Sequence, residues 1–436
     1  MGRERSVAVR SRRSIGLMLN QVHIERRVLV GFLIGILAMN LGVLLGSWKE
    51  IMAGKNDFPP FYASAQMVRE GQASRMFDVT AENAFVHRVS PIVRPPNNHL
   101  PYENLIFLPF TYLQFDTAYV IWTLLSLVML AGIVLLMRDF WRWRSSFSFT
   151  FLVFLAFFPV WYCLGMGQDS ILLVLFFALS FWLWKRGQDD LAGFALAFGL
   201  FRPQLVLPFV LVAFLGAKWK FVRGFIPGAI LVVLLSIWVA GFHGMGDYAR
   251  ILISQGTEGS AEALSKQWCV RPGLMPTLRG LLWILPSWVS GNVRNFLLLS
   301  GTFGALLWAA KRMRCARDGA ALDLAFAMAV TVITLVSFHS FLHDFSLMIL
   351  PLLIAGNTVV SSARVTEKSA YLIVTLGFVF FLTPLYLLLI LLTPRVGLFA
   401  VPTVAFLWLM GRWETNSLSA PAAERHAAEP ISLRTA

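Results

Sequence analysis

Apolar runs, each closed by a polar or basic stretch, recur along almost the whole chain. They lie at about residues 29–47, 118–137, 149–164, 170–184, 190–201, 204–216, 222–240, 295–310, 322–338, 345–360, 369–390 and 396–411. A membrane span takes ~20 mostly apolar residues, and shorter ones fit inside a bundle. Within a bilayer the backbone must satisfy its own hydrogen bonds, which leaves helices or closed barrels, and continuous apolar runs select helices. The pattern predicts an all-α polytopic membrane protein of about twelve spans, some short or broken. Composition agrees: 57% of residues are hydrophobic, only 14% are charged, and there are 37 Phe and 15 Trp. A soluble domain carries about 25% charged residues. A cytosolic enzyme, a secreted disulfide scaffold and a disordered chain are excluded. The three cysteines, Cys163, Cys269 and Cys315, have no metal or redox spacing.

The net charge of +14 sits between the apolar runs, as the positive-inside rule places it, and does not form a nucleic-acid patch. Seven Arg in the first 28 residues put the N-terminus in the cytoplasm as a retained signal anchor. Alternation then leaves 24 of the 37 Lys and Arg inside, in short loops, and returns the C-terminus to the cytoplasm. The organisation read from this is a basic cytoplasmic segment 1–28, one transmembrane domain 29–411 and a cytoplasmic tail 412–436, in a plasma (inner) membrane. Two outer loops are long, about 48–117 and 241–294, and loops of that length usually work or fold locally. Residues 60–77 alternate like a short amphipathic helix, expected to lie on the outer membrane surface.

Polar residues among apolar spans are costly and need a reason. The unusual ones are Asn56 and Asp57, Gln168 and Asp169, Arg202, then His243, Asp247 and Arg271, and finally His339, His343 and Asp344. The charge-based topology, built without them, puts all of them at the outer face, where they would line a polar cavity walled by helices. Asp169 reads equally as an N-cap of the following helix. His339 and His343 have the i,i+4 spacing of two metal ligands, or of residues hydrogen-bonding at a helix end; the expectation is no bound metal. Cys163 and Cys269 both fall on the outer side, within the same compartment. Arg202 is the most informative. Runs 190–201 and 204–216 are short, Pro203 breaks the helix between them, and basic residues flank both. The result is a hairpin with a guanidinium at its apex, suited to a phosphate or to lipid headgroups.

Together these residues resemble glycosyltransferase family 87. Asp57-Phe58, Phe61-Tyr62-Ala63, Ala65, Gly71 and Phe77-Asp78 look like that family's first outer loop. Gly167-Gln168-Asp169-Ser170 resembles its G-Q-x-N segment. Leu191-Ala192-Gly193 leading to Phe201-Arg202-Pro203-Gln204 resembles its A-G-x-L…L-K-P-Q hairpin. Ser337-Phe338-His339 through His343-Asp344 and Leu350-Pro351 resembles its S-P-H…Y-D-L…L-P segment. Phe61, Asp169 and Arg202 stand where the family commonly has Tyr, Asn and Lys; Arg keeps the capacity to bind phosphate. The second long loop matches poorly, so no acceptor is carried over.

The resemblance implies a GT-C type fold that takes a sugar, often mannose, from a polyprenyl-phosphate donor on the outer side of the membrane. It implies Asp57 as the general base, Arg202 on the donor phosphate, and His343 or His339 lining the donor site. The residues fit that chemistry: a base for the acceptor hydroxyl at Asp57, and positive charge for the leaving phosphate from Arg202, helped by His343 or Arg271. Asn56, Tyr62, Gln168, Asp169, Gln204, His339 and Asp344 are expected to line the site. The expected partners are membrane lipids, the polyprenyl-phosphate sugar as donor substrate rather than cofactor, and a lipid or glycan acceptor. A single displacement would invert the anomeric centre. Two other readings share the features: a transporter or flippase, which would want polar residues at the midplane and repeated halves, and a lipid-linked glycan ligase or polymerase.

Overall fold

The computed structural model describes residues 27–92, 97, 99–140, 146–256, 272–316, 319–361, 367–391 and 395–418. No β-strand occurs among them. Most of the expected cytoplasmic N-terminus and tail lie outside the described residues.

Every apolar run has become a helix or a broken pair. Among the described residues, five helices are long and apolar enough to cross a membrane. They are α1 (Arg27–Gly46), α4 (Phe115–Met137), α10 (Trp219–Gly256, broken at Gly241), α11 (Gly291–Cys315) and α12 (Gly319–Val336). A sixth span arises if α5 (Phe147–Ala156) and α6 (Phe158–Met166), bent by 69°, count as one. Phe157 between them is extended and Pro159 opens α6; a proline there cannot continue the ladder of the preceding helix. The Ala156 carbonyl released at the bend accepts from Asn40 Nδ2 on α1 at 3.2 Å. Of the other apolar helices, α7 (Ser170–Lys185) and α9 (Pro203–Leu215) fall in a class of only 10–17 residues. The helical, polytopic class is thus met, while the expected count of about twelve spans is not confirmed, because several runs give helices too short to cross alone.

Residues 60–77 do not form a surface helix. The helix here is α2 (Phe58–Arg69), and every residue from Phe58 to Met67 is buried. Phe58 meets Phe107, Phe115 and Tyr119 edge-on or tilted at 5.7–6.1 Å. On another side Ser64 Oγ donates to Glu82 Oε1 at 2.6 Å, on α3 (Val79–Val86). The alternation in the sequence reflects small residues, Ala63, Ser64 and Ala65, that let neighbours approach, rather than a wet face.

Helix α8 (Asp189–Ala197) and α9 form the expected hairpin. At ~1.5 Å per residue they are roughly 14 and 20 Å long, short of a ~30 Å hydrocarbon core. Glycines press α8 onto α10: a Cβ at Gly193 would lie 1.9 Å from the Phe221 carbonyl oxygen, and one at Gly224 1.9 Å from that of Asp190. The basic ends of several helices meet at one end of the bundle. Lys185 pairs with Asp323 at 2.6 Å, and Lys218 Nζ donates to the Ala316 carbonyl. The polar motifs gather at the other ends of the same helices.

Candidate active site

Asp57 stands just before α2, half-buried, and its side chain does not cap the helix. Its backbone N–H donates to the Met166 carbonyl at 3.0 Å, which pins it to the end of α6. There Gly167 takes a left-handed conformation, φ +67°, and a Cβ on it would lie 2.7 Å from Phe58 Cβ. Only glycine combines that φ with that approach. The turn brings Gln168 beside Asp57. Gln168 Nε2 donates to Asp57 Oδ2 at 3.0 Å, and Gln168 Oε1 accepts from Arg202 Nη2 at 2.6 Å. One carboxamide therefore links a carboxylate to a guanidinium.

Arg202, the last residue before α9, is 3% exposed. Its Nε donates to Asp169 Oδ1 at 3.2 Å, and Nη2 reaches the same oxygen. Its Nη1 lies 3.3 Å from Asp344 Oδ1 and 3.4 Å from His343 Nε2. Asp169 sits at the N-cap position of α7, yet its side chain makes no cap hydrogen bond; it turns to Arg202 instead. Asp344 accepts from Ser170 Oγ at 2.9 Å and from the Phe341 backbone N–H at 3.1 Å. Burial alone would raise the Asp169 carboxyl, but Arg202, with His99, outweighs it and holds it well below the usual range. Burial would likewise lower the Arg202 guanidinium, and Asp169 and Asp344 raise it instead. Buried opposite charges must be paired and hydrogen-bonded, and these are. The polar residues form a mutually bonded knot, with Asp57 at its edge.

Three members of this knot escaped the sequence reading. His99 Nδ1 lies 2.7 Å from Glu103 Oε2 and 3.3 Å from Asp169 Oδ2. Burial and the nearby Arg202 would lower the imidazole, but Glu103 and Asp169 together outweigh them and hold it up at about 9. Arg202 and His99 thus face the buried carboxyl groups of Glu103, Asp169 and Asp344; burial, against the pull of His99, pushes the Glu103 carboxyl up to about 8. Ligand atoms of His99, Glu103 and Asp169 lie within 4.8 Å of one another, so this cluster, rather than His339 and His343, has the compactness a cation would need. Tyr102 is the third. Its hydroxyl donates to the Phe198 carbonyl at 2.6 Å and accepts from the Phe201 N–H at 3.2 Å, which clamps the hairpin turn carrying Arg202. A His-x-x-x-Glu spacing beside Pro101 was the available signal, and it does not stand out in a polar loop.

The other expected residues divide. His343 and His339 are buried beside the knot, and neither Nδ1 finds a hydrogen-bond partner among the described residues. Burial holds His339 down at about 3 and lowers His343 as well. They lie in an irregular segment after α12, not on one helix face. Asn56 is fully buried and its Oδ1 accepts from the Phe58 N–H at 3.3 Å. The Tyr62 hydroxyl donates to the Leu113 carbonyl at 2.7 Å, away from Asp57. Gln204 is buried in the first turn of α9. His243 and Asp247 pair with each other at 3.5 Å on an exposed surface and do not join the knot. Arg271 and Cys269 lie outside the described residues, and with them the question of a Cys163–Cys269 pair; the Cys163 thiol donates to the Gln168 carbonyl at 3.4 Å. The second long loop, 241–294, does contribute Arg279, whose Nη1 donates to the Phe338 carbonyl, next to His339, at 2.7 Å.

The model of glycosyltransferase family 87 matches residues 101–338, more than half of the chain. The chain belongs to glycosyltransferase family 87. This family 87 protein is accordingly a membrane glycosyltransferase. The matched stretch contains Glu103, Gln168, Asp169, Arg202 and Gln204; it begins after Asp57 and ends one residue before His339. No curated protein and no solved structure matches the chain.

Proposed function

We propose that this family 87 glycosyltransferase moves one sugar, mannose before other hexoses, from a polyprenyl-phosphate donor to a lipid or glycan acceptor on the extracytoplasmic face of the plasma membrane. The observation that carries the reading is the Asp57–Gln168–Arg202 chain. It sets a half-buried carboxylate and a buried cation on one rigid amide, at the ends of helices whose opposite ends are basic. In this reading Asp57 takes the proton of the acceptor hydroxyl. Charge developing on the leaving phosphate meets the field of Arg202. Because Asp169 and Gln168 hold the Arg202 fork, its share is charge at short range, and His343, Arg271 and Arg279 are the groups proposed to touch phosphate oxygens. The polyprenyl tail would lie between helices, so that the donor arrives from the bilayer. A single in-line displacement inverts the anomeric centre. The proposed membrane arrangement keeps both termini cytoplasmic in a GT-C-like bundle of about twelve segments, the short ones entering and leaving as hairpins.

The test uses purified protein with a panel of polyprenyl-phosphate sugars and a membrane lipid extract as acceptor, with Asp57→Ala alongside. Sugar transfer and polyprenyl-phosphate release by the unmodified protein alone are expected. Full activity of Asp57→Ala would remove the base assignment. Absence of both turnover and donor binding in folded protein would move the reading to transport.

A further inference from the structure

His99 and Glu103 reach the Arg202 knot from a segment of the first long loop that is fastened on both sides. Ahead of His99, the Asn97 N–H donates to Glu82 Oε1 at 2.9 Å, and Asn97 Oδ1 accepts from the His99 N–H at 3.3 Å. Behind it, Pro101–Glu103 makes one tight 3₁₀ turn, and the Tyr102 N–H donates to Ser236 Oγ of α10 at 3.3 Å. The rings of Phe61 and Phe201 lie 5.4 and 6.2 Å from the imidazole. So held, His99 Nδ1 points between Glu103 Oε2 at 2.7 Å and Asp169 Oδ2 at 3.3 Å. Two carboxyl groups converging on one nitrogen call for a proton on that nitrogen. Asp169 divides its two oxygens. Oδ2 faces His99, while Oδ1 accepts from both Nε and Nη2 of Arg202. That leaves Arg202 Nη1 toward Asp344 and His343.

We propose that His99 is a positioning residue for sugar transfer: its Nδ1–H holds Asp169 Oδ2, so that Oδ1 aims the Arg202 fork and the knot meets the donor phosphate without net negative charge. The inference rests on the reading that sets the donor phosphate in the field of Arg202. The first half follows from geometry, because a carboxylate gripped at both oxygens cannot turn without loosening Arg202 and His99 together. The second half follows from charge. With His99 protonated and Glu103 neutral, Arg202 and His99 balance Asp169 and Asp344. Once both protons leave, Arg202 alone faces three carboxylates, and the knot repels an anionic phosphodiester. The groups acting on this pair come from every side: Asp169 ahead of α7 and Arg202 ahead of α9, Tyr102 and Tyr248 of α10 beside Glu103, and Glu82 of α3 at the Asn97 N–H. The protons on His99 and Glu103 are held up to about 9 and about 8, so the change of charge falls above neutral pH.

The experiment measures binding of polyprenyl-phosphate mannose to the full chain in detergent from about pH 7 to about pH 9.5, a range in which the lipid's phosphodiester does not titrate. The unmodified protein should lose about tenfold or more in affinity across it, the size of one hydrogen bond between charged groups. His99→Asn keeps a neutral amide near the place of Nδ1 and should bind weakly throughout, with no pH step. Glu103→Gln removes one of the two anions that hold the imidazolium, so the step should remain and move to lower pH. If His99→Asn does not elute as a single species, Glu103→Gln decides alone. A flat affinity in the unmodified protein would overturn the proposal, as would a step that persists in His99→Asn or stays in place in Glu103→Gln. Those results leave donor binding, and with it the transferase reading, intact. Absence of donor binding by the folded, unmodified protein at neutral pH would instead remove that reading and this inference with it.

Discussion

Gln168→Ala separates the two halves of the proposed centre. The amide donates to Asp57 at 3.0 Å and accepts from Arg202 at 2.6 Å, and Gln168 is only 8% exposed, so water does not easily replace it. A hydrogen bond to a charged group is worth ~1.5–3 kcal/mol. If the bond to Asp57 holds the base in line with the acceptor, its loss should lower kcat/KM by about 10- to 150-fold. Arg202 keeps Asp169 and Asp344 in that variant, so the protein should still elute as a single species. Gln168→Glu sharpens the test. It preserves the contact with Arg202 and sets a second carboxylate about 3 Å from Asp57. At an effective dielectric of 20 that repulsion is about 5 kcal/mol, and the solvent reaching half-buried Asp57 screens it to roughly half or less. The new ion pair with Arg202 offsets part of that repulsion, so Gln168→Glu should elute as a single species with a thermal midpoint at or below that of the unmodified protein and fall at or below Gln168→Ala in transfer rate. Radiolabelled sugar transfer and thermal elution profiles of the three proteins decide it. Transfer by Gln168→Ala within twofold of the unmodified protein would refute the idea that this amide orients the base.

Gly167→Ala should cost at least ~2 kcal/mol, the left-handed penalty plus a Cβ 2.7 Å from Phe58 Cβ, read as a lower thermal midpoint together with lost activity. Arg202→Ala leaves Asp169 and Asp344 buried without their cation and should cost ~3–5 kcal/mol, enough to abolish monodisperse expression, whereas Arg202→Lys should express and retain part of the donor affinity in a binding assay. Glu82 is buried, and burial, against the bonds from Asn97 and Ser64, pushes its carboxyl up to about 8. The unfolded chain ionises first, so the contribution of Glu82 to stability is most favourable below its usual value near 4.5 and falls as pH rises toward 8. Glu82→Gln removes that slope and should raise the thermal midpoint at pH 8 relative to the unmodified protein, with little change at pH 4.5.

The helices and the meeting of Asp57, Gln168, Asp169, Arg202, His343 and Asp344 were legible because each polar group interrupts an apolar run, where its cost makes it conspicuous. The partners of Arg202 were not legible. A sequence shows that a buried guanidinium needs anions, but not that Asp169 and Asp344, on separate segments either side of Arg202, already supply them. His99, Tyr102 and Glu103 were hidden for the converse reason: among the many polar residues of a long loop, nothing marks the three that fold inward. The reading of residues 60–77 went astray because small residues at a close contact alternate with large ones much as a wet face alternates with a dry one. His243 and Asp247 stood out in the sequence for the same reason as the true members, yet near the Gly241 break in α10 Asp247 pairs with His243 and Arg250 instead.

The hairpin of α8 and α9 has one further consequence. Its base is tied to α10 by the Arg223–Asp190 fork at 2.7–2.8 Å, and its tip is gripped by Tyr102. Between those two anchors the nine residues of α8 act as a ruler. The height of Arg202 above the basic end is then a property of the chain and not of the bilayer around it. One extra helical turn would lift the guanidinium by about 5.4 Å, past Asp169 altogether. A thicker or thinner membrane can tilt the bundle as a body, while the spacing between the charged tip and its carboxylates stays the same.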